Sequence, residues 1–412
     1  MTDPAIDDRR FRERFEEFNR IGATDAGGVN RPSLSDANRE ARDTLLEWFR
    51  EAGLEVRIDE MGNLFGRREG RESGADPVLV GSHVDSQYNG GRYDGVVGVL
   101  AALEVLEAFA DAGLETDRPV EVVSWSNEEG VRFQPDMLGS GVYAGRFALE
   151  YAHGRTDDEG RTFGEELERI GYRGETPCEA DGLHSYFELH VEQGPILEDR
   201  GVPIGVVEGV FGFSWLDVTV EGQADHAGPT PMDDRADAFV ATADVATAVR
   251  RLTATGGDDL VGTVGSVDVQ PNAINVIPER VEFTVDVRSY DNATVADAVE
   301  RVRREVSAAA DREGVRAEVT EIMRVEADAF DDGCIETIAA AAEEAGHEYV
   351  RLKSGAGHDA NYLNEIAPTG MIFVPSVDGV SHRESEYTEW EDVVAGADVL
   401  CRAVRRAASH QS

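Results

Sequence analysis

The residues best suited to chemistry in this sequence are histidines that follow short apolar runs. Five of the nine histidines lie at such positions or in glycine-rich turns: His83, His190, His226, His358 and His382. Imidazole and carboxylate groups together are common ligands of zinc and similar divalent ions. Because histidines are few and acidic residues number 82, the histidine positions are the more informative signal. A metal site is therefore the first hypothesis.

The stretch GSHVDSQYNGGRYDG, residues 81–95, carries one half of this hypothetical site. His83 comes directly after the apolar run PVLV, and Asp85 lies on the same face if the backbone stays extended. Asp85 could hold the second nitrogen of the His83 ring, as the neighbours of histidine ligands usually do. Asp94 opens the next predicted helix, where a carboxylate is favoured. The alternative is a hydrogen-bonded loop histidine followed by a helix cap.

Glu128 and Glu129 form an adjacent pair in SNEEG, after a second apolar run. Side chains of successive extended residues point in opposite directions, so one carboxylate can bind a metal while the other acts as a base. Adjacent acidic pairs also arise by chance in so acidic a chain, and alone this pair indicates only surface. His190 in FELHVEQG and His382 in DGVSHRES complete a set that suits two ions sharing one carboxylate. Zinc is the first candidate, with manganese, cobalt or nickel as alternatives.

Short buried strands are predicted to position these residues. The runs PVLVGS, PVEVVSWS and YFELHVEQG are too short and too apolar for surface helices, and helical patterns separate them. Such alternation predicts an α/β fold with a mainly parallel sheet and helices on both faces. The ligands should then meet at the carboxyl ends of the strands.

The pattern changes near Gly209, where strand, helix, two strands, helix and strand follow one another. This order predicts an inserted βαββαβ, ferredoxin-like domain over residues 209–326. A catalytic domain would then comprise residues 1–208 and 327–412. An α/β pattern resumes after the insertion, with the strand GMIFVP and a closing helix.

Composition narrows the classes of partner. The formal charge is -43, and Lys353 is the single lysine. Such a surface repels nucleic acid and anionic membranes, so neither is expected as a partner. Evenly spread carboxylates predict a location in the cytoplasm of a high-salt organism, with an ordinary acidic enzyme as the alternative.

The three distant cysteines indicate reduced thiols, and no apolar run predicts a signal peptide or a membrane span.

Seven motifs, taken in order, resemble the hydantoinase/carbamoylase-type amidohydrolases, which lie within the clan of dinuclear zinc aminoacylases and exopeptidases. The motifs are GSHVDSQYNGGRYDG, SNEEGVRF, ELHVEQGP, ADHAGPTPM, NVIPERVEFTVDVR, SGAGHDA and GVSHRESEYT. The resemblance implies that His83, Asp94 and His190 bind one metal ion. It implies that Asp94, Glu129 and His382 bind the other, with Glu128 as the general base.

The resemblance also implies substrate contacts and a lid. His226, Asn275 and Arg288 would contact substrate from the inserted domain, which in this family serves as a lid and as the dimer interface. His226 would also stabilise the oxyanion. Gln193, Gly357 and His358 would contribute the remaining contacts. On sequence alone each also has a plainer interpretation, as a surface arginine or as residues of tight turns.

The activity implied is hydrolysis of the linear C–N bond of an N-carbamoyl-L-amino acid or of a related ureido acid such as allantoate. One departure bears on the substrate, because Ser214 and Trp215 stand where many relatives carry a basic residue. Two alternatives stay open: a metallo-aminoacylase or exopeptidase of the same clan, and a non-catalytic binding protein on the same fold.

Overall fold

The computed structural model describes residues 3–72, 74–256 and 260–409, and these divide into two compact units. The larger unit runs to Glu208 and resumes at Phe330, and the inserted unit comprises Gly209–Ala329. The inserted unit ends three residues later than the sequence pattern suggests (329 against 326). The reason is a short strand pair, in which Asp328 and Ala329 lie opposite Val210 and Gly209.

The strands of the described residues are, in chain order, β1 (Glu55–Ile58), β2 (Leu64–Arg68), β3 (Val78–His83), β4 (Val120–Trp125), β5 (Ser185–Val191), β6 (Ile204–Val210), β7 (Gly212–Glu221), β8 (Val261–Gln270), β9 (Arg280–Ser289), β10 (Arg316–Val325), β11 (Asp328–Ala329), β12 (Tyr349–Ser354) and β13 (Thr369–Val374). The α-helices are α1 (Asp8–Phe18), α2 (Asp36–Glu51), α3 (Val96–Asp111), α4 (Leu138–Tyr143), α5 (Leu149–His153), α6 (Phe163–Ile170), α7 (Ile196–Arg200), α8 (Ala238–Thr255), α9 (Asn292–Glu313), α10 (Asp332–Ala345), α11 (Asp359–Leu363) and α12 (Trp390–Ala408). Short 3₁₀ turns cover Met232–Asp234 and Val377–Gly379.

The sheet of the larger unit has a parallel centre and antiparallel flanks. Its order is β1-β2-β4-β3-β5-β13-β6, with β12 also paired to β6. The neighbours β4, β3, β5 and β13 run parallel, whereas β2 and β6 run antiparallel to β4 and β13. Every residue of β3, β4, β5 and β13 is buried, as expected for parallel strands covered by helices. The predicted α/β class with a mainly parallel sheet is confirmed.

The inserted unit contains a four-stranded antiparallel sheet in the order β10-β7-β9-β8. Along β7 and β9 buried residues alternate with more exposed ones, because α8 and α9 pack on one face only. The buried side forms an apolar core rich in valine. Helix α8 begins at Ala238, because the Asp237 carboxylate caps it by accepting from the N–H groups of Phe239 and Val240.

The parallel strands bring their carboxyl ends to one edge of the larger sheet. His83 is the last residue of β3 and pairs with Trp125, the last residue of β4. His190 is the penultimate residue of β5 and pairs with Phe373 of β13. The side chains that follow β4 and β13 therefore start from the same edge as the two histidines.

The remaining features concern the chain as a whole. Cys178, Cys334 and Cys401 are free and buried. Within the described residues, no helix combines the length and the apolar character needed to cross a membrane.

Candidate metal centre

Two groups of potential ligands meet at Asp94. One oxygen of Asp94, Oδ1, lies 3.1 Å from His190 Nε2 and 3.7 Å from His83 Nε2. The other oxygen, Oδ2, lies 3.5 Å from His382 Nε2, which is itself 3.6 Å from Glu129 Oε2. Within each group the ligand atoms are all within 4.8 Å of one another. A carboxylate placed in this way could be shared between two neighbouring ions.

The rings of His83 and His190 are oriented by bonds to their other nitrogen. His83 Nδ1 lies 3.0 Å from the backbone oxygen of Asp85, and His190 Nδ1 lies 2.9 Å from that of Val191. Both bonds leave Nε2 free to face Asp94. The structure thus shows Asp85 orienting His83 through its carbonyl, since its carboxylate is 3.9 Å from the same nitrogen.

The Asp85 carboxylate lies instead beneath the acidic pair. Its two oxygens accept from the backbone N–H groups of Glu128 at 3.4 Å and of Glu129 at 3.3 Å. These two glutamates lie beyond the end of β4, after a turn in which Asn127 has φ 60°. Glu128 Oε2 is 3.5 Å from His83 Nε2, while Glu129 faces His382. The pair therefore diverges as expected, but from a loop rather than from extended strand.

Helix α3 starts immediately after Asp94, although Asp94 does not cap it. The cap position is Gly95, with φ 66° and no side-chain bond to the helix amides. A Cβ at Gly95 would come within 2.4 Å of His83 Nε2, so only glycine fits there. The explanation of Asp94 as a simple helix cap is therefore excluded.

One buried ring nitrogen at this site has no hydrogen-bond partner among the described residues. His83 is 1% exposed, and among the described residues its Nε2 has no hydrogen-bond partner. A buried polar atom without a partner is costly. An ion held between His83, Asp94 and His190 would satisfy this nitrogen, so the residues present fit a metal.

The closely packed carboxyl groups at the site would also be stabilised by a cation. Burial, followed by the neighbouring carboxylates Asp359 and Glu129, raises the pKa of Glu128 well above its usual range. Burial and the nearby Asp94 do the same for the pKa of Glu129. Burial opposes the ionised form of Asp94 as well, but its bond to His190 and the surrounding histidines hold its pKa well below the ordinary value. Acidic groups packed so closely are stabilised when a divalent ion lies among them.

The other predicted contacts of the larger unit lie beside these ligands. The amide of Gln193 donates to Asp94 Oδ2 at 3.1 Å and lies 3.4 Å from His382 Nε2. His358 is buried, and its Nε2 lies 2.9 Å from Ser354 Oγ. His358 also falls in a third group with Glu188 and His190, but its Nε2 is already engaged by Ser354.

The predicted contacts of the inserted unit are more exposed. His226 forms an isolated bridge with Val276, and the backbone N–H of Ala227 donates to the backbone carbonyl of Asn275, so the segments that carry His226 and Asn275 are adjacent. Arg288 lies elsewhere on this unit, where its guanidinium pairs with Asp286 at 2.9 Å and covers the Phe213 ring.

Ser214 and Trp215 differ sharply in environment. Ser214 is fully buried, and its hydroxyl donates to Glu321, whereas Trp215 is partly exposed. Gly357 in the larger unit is exposed beside the buried His358.

Gln87 is a residue that the sequence interpretation missed. Its backbone N–H donates to Glu129 Oε1 at 2.9 Å, and its side-chain amide donates to Oε2 at 2.7 Å. Both oxygens of one candidate ligand are thereby held by a single residue. The sequence feature that could have indicated this role is the position of Gln87 in the same motif as His83 and Asp94.

The larger unit thus combines an α/β domain, interrupted by a βαββαβ unit, with histidines and buried carboxylates that could bind metal ions at the carboxyl edge of its parallel strands. A sequence profile of peptidase family M20/M25/M40 matches residues 79–406. The chain belongs to this family.

Similar proteins come from bacteria and plants. An N-carbamoyl-L-amino-acid amidohydrolase of Rhizobium meliloti is 44% identical over 395 residues, covering 96% of this chain and 95% of that protein. A ureidoglycolate hydrolase of Oryza sativa subsp. japonica is 34% identical, with 97% and 85% covered. The crystal structure of an amidase of the hydantoinase/carbamoylase family from Burkholderia multivorans superposes with a TM-score of 0.95 at 46% identity, covering 99% of this chain and all of that one (100%). The resemblance inferred from the seven motifs is confirmed.

Proposed function

We propose that this enzyme hydrolyses the linear C–N bond of the carbamoyl group in an N-carbamoyl-L-amino acid, or in a related ureido acid such as allantoate. The products would be the amino acid, ammonia and carbon dioxide. The observation that carries this proposal is the pair of ligand groups sharing Asp94, with Glu128 beside them. The amidohydrolase names of the relatives support the ureido substrate.

Two divalent ions are proposed, with zinc as the first candidate and manganese, cobalt or nickel as alternatives. His83, Asp94 and His190 would hold one ion, and Asp94, Glu129 and His382 would hold the other. When bound, such ions supply Lewis-acid polarisation of a carbonyl and acidify a water molecule. The matching donor set and the unpartnered His83 nitrogen support this assignment.

Glu128 is proposed as the group that moves the proton. Its carboxylate would take a proton from the attacking water and pass it to the departing nitrogen. Its Oε2 lies 3.5 Å from His83 Nε2, so this carboxylate is close to the candidate ligands without being one of them. Because water is the nucleophile, no serine or cysteine nucleophile is required.

Side chains of both units are proposed to bind the substrate. Arg288 would bind the substrate carboxylate through its planar fork, in place of its present partner Asp286. His226 would donate to the oxyanion, and Asn275 would orient the substrate. Gln193, Gly357 and His358 would contribute from the larger unit. The buried Ser214 in place of a basic residue favours a substrate with one anionic group.

The test is turnover by the metal-loaded chain. N-carbamoyl-L-amino acids, their D-enantiomers, allantoate, N-acetyl amino acids and dipeptides would be supplied separately, and ammonia and free amino acid would both be measured. Equal amounts of ammonia and amino acid from the L-carbamoyl compounds are expected. Amino acid without ammonia from dipeptides or N-acetyl compounds would instead establish a peptidase or aminoacylase. No turnover with metal bound would indicate a binding protein.

Two further properties are proposed. The first is a homodimer formed through the inserted unit, for which exposed Trp215, Ile322 and Met323 provide apolar surface. Light scattering should give about twice the chain mass of 44.8 kDa. Replacing Ile322 and Met323 together by serine should shift this mass toward the monomer, and an unchanged dimer would locate the interface elsewhere.

The second is a function in the cytoplasm of a high-salt organism. The charge of -43 supports it, since salt screens the mutual repulsion of the carboxylates. Melting temperature and activity should both rise between 0.1 and 2 M KCl. A melting temperature independent of salt would contradict this adaptation.

A further inference from the structure

Glu386 is a buried carboxylate that has no part in the proton transfer proposed above. It is 3% exposed and follows His382 by four residues. Its Oε1 accepts from the backbone N–H groups of Tyr93 at 3.2 Å and of Asp94 at 3.1 Å. Its Oε2 accepts from the hydroxyl of Ser381 at 3.0 Å. One carboxylate therefore joins the segment that carries Asp94 to the segment that carries His382.

The Asp94 segment is built closely around this carboxylate. A Cβ added at Gly91 would lie 2.1 Å from Glu386 Oε1, well inside any permitted contact. Glycine is thus required for the backbone to approach the carboxyl group. The Glu386 carboxylate occupies the space beside Gly91. Among the described residues it is the side chain that accepts from the N–H groups of Tyr93 and Asp94 and from the Ser381 hydroxyl.

Of the three candidate histidine ligands, His382 is the one whose ring is least buried and least restrained by hydrogen bonds. His83 and His190 are 1% exposed, and each has its second ring nitrogen bonded to a backbone carbonyl. The His382 side chain is 51% exposed, and among the described residues its one recorded hydrogen-bond contact is with Gln193. Its backbone also has φ 55°, in the left-handed region that residues other than glycine adopt only uncommonly. The location of His382 therefore depends on what holds its loop.

We propose that Glu386 is a positioning residue that fixes His382 relative to Asp94 and thereby determines the occupancy of the second ion, the one held by Asp94, Glu129 and His382. This inference rests on the proposed metal centre. Glu386 acts through the backbone of Asp94 and the hydroxyl of Ser381, and it does not itself bind an ion. Supporting residues of this kind typically change metal affinity by about 10- to 100-fold when they are removed.

The geometry distinguishes two substitutions of this residue. In Glu386→Gln the amide oxygen can still accept from Tyr93 and Asp94, while the amide NH₂ can donate to a rotated Ser381 hydroxyl. The link is thus preserved without the charge. In Glu386→Ala both backbone N–H groups and the hydroxyl lose their partner.

The experiment compares Glu386→Ala, Glu386→Gln and a matched control, Glu104→Ala. Glu104 is equally buried in the larger unit, and it accepts from the backbone N–H of Asp7 and from Arg10. Zinc per chain would be measured after dialysis, the affinity of each ion would be titrated, and the visible spectrum of the cobalt-substituted protein would be recorded. Melting temperatures of the metal-free variants would report structural damage separately.

The wild type and Glu386→Gln should retain two ions. Glu386→Ala should retain one, with the second bound at least about tenfold more weakly and its part of the cobalt spectrum lost. Glu104→Ala should lose stability and keep both ions. If Glu386→Ala does not fold, Ser381→Ala removes one bond of the same link and should weaken the second ion alone.

Two results would overturn the inference. One is unchanged affinity for both ions in Glu386→Ala or, where that variant does not fold, in Ser381→Ala. The other is an equal loss of the second ion in Glu104→Ala. A wild-type chain that retains no ion would instead refute the metal centre, and the positioning of His382 would fall with it.

Discussion

The carboxyl edge of the larger sheet and the surface of the inserted unit differ in how deeply their candidate functional residues are buried. At the sheet edge, His83, Asp94 and His190 are at most 4% exposed. In the inserted unit, His226 and Asn275 are exposed, and Arg288 is half-buried against Asp286.

The reason for this difference is the cost of burying charge. Buried carboxylates and imidazoles must be held by neighbours, and His83 Nε2 is among the buried atoms of the described residues that have no hydrogen-bond partner and could bind an ion. Exposed side chains retain water as a partner and can exchange it for a ligand. Under the proposed function, the buried sheet edge would hold a fixed reaction geometry and the more exposed side chains of the inserted unit would bind the substrate.

The largest expected effect is that of Glu128→Gln. This change removes the base while keeping the shape, so activity should fall at least about 100-fold. Both ions should remain bound, because Glu128 is not assigned as a ligand. Ammonia release and zinc content would be measured on the same samples. Glu121→Gln is the control, since Glu121 is also buried but pairs with Arg57 and Arg67. Full activity in Glu128→Gln would refute its assignment as the base.

The inserted unit should respond differently, through binding. Arg288→Ala should raise KM about tenfold or more, because charge-assisted hydrogen bonds contribute about 1.5–3 kcal/mol. Metal content should not change. Arg280→Ala is the matched control, since Arg280 lies on the same strand, is similarly exposed and pairs with Glu221 and Glu282. Steady-state kinetics on an N-carbamoyl-L-amino acid would distinguish the two. Equal KM for both variants would mean that Arg288 binds no substrate carboxylate.

The sequence predicted the strands that deliver these residues because buried parallel strands have a distinctive apolar composition. Val78–His83, Val120–Trp125 and Ser185–Val191 were each located in this way. The antiparallel strand Ile204–Val210 and the short helices between β4 and β5 were missed, since their patterns are brief and tertiary contacts decide them. Hydrogen bonds that depend on loop conformation could not be predicted from the sequence either. Examples are the bond from the Gln87 N–H to Glu129 and the bond between the Asp85 carbonyl and the His83 ring.

The metal-free protein should lose stability as pH rises. Burial and the nearby Asp94 raise the pKa of Glu386 from 4.5 to about 8. Burial alone would lower the pKa of His190, but its bond to Asp94 raises it from 6.5 to about 9. Both groups hold a proton more tightly in the folded state, so the stability they contribute is lost between pH 4.5 and 8 for Glu386 and between pH 6.5 and 9 for His190.

Thermal unfolding in EDTA should therefore give a melting temperature that falls by more than about 3 °C between pH 5 and pH 9, the effect of about 2 kcal/mol in a unit of this size. With metal bound the fall should be smaller, because the ions stabilise the ionised carboxylates. Glu386→Gln should also flatten the profile of the metal-free protein. A melting temperature that rises over this range would contradict the account of the sheet edge as a cluster in need of a cation.

The smallest effect concerns Gln87, which holds Glu129 from two sides. Gln87→Ala removes the side-chain donor to Oε2 but keeps the backbone donor to Oε1. Because one of two bonds remains, the second ion should bind only about three- to tenfold more weakly, which corresponds to about 1 kcal/mol. Gln134→Ala, which removes a comparable amide bond to the Gly130 carbonyl, should leave this affinity unchanged. Titration of the metal-free variants with zinc would measure the difference. If the two variants bind zinc equally well, then Glu129 is held by the ion itself, and preorganisation at the sheet edge would be confined to the histidines and Asp94.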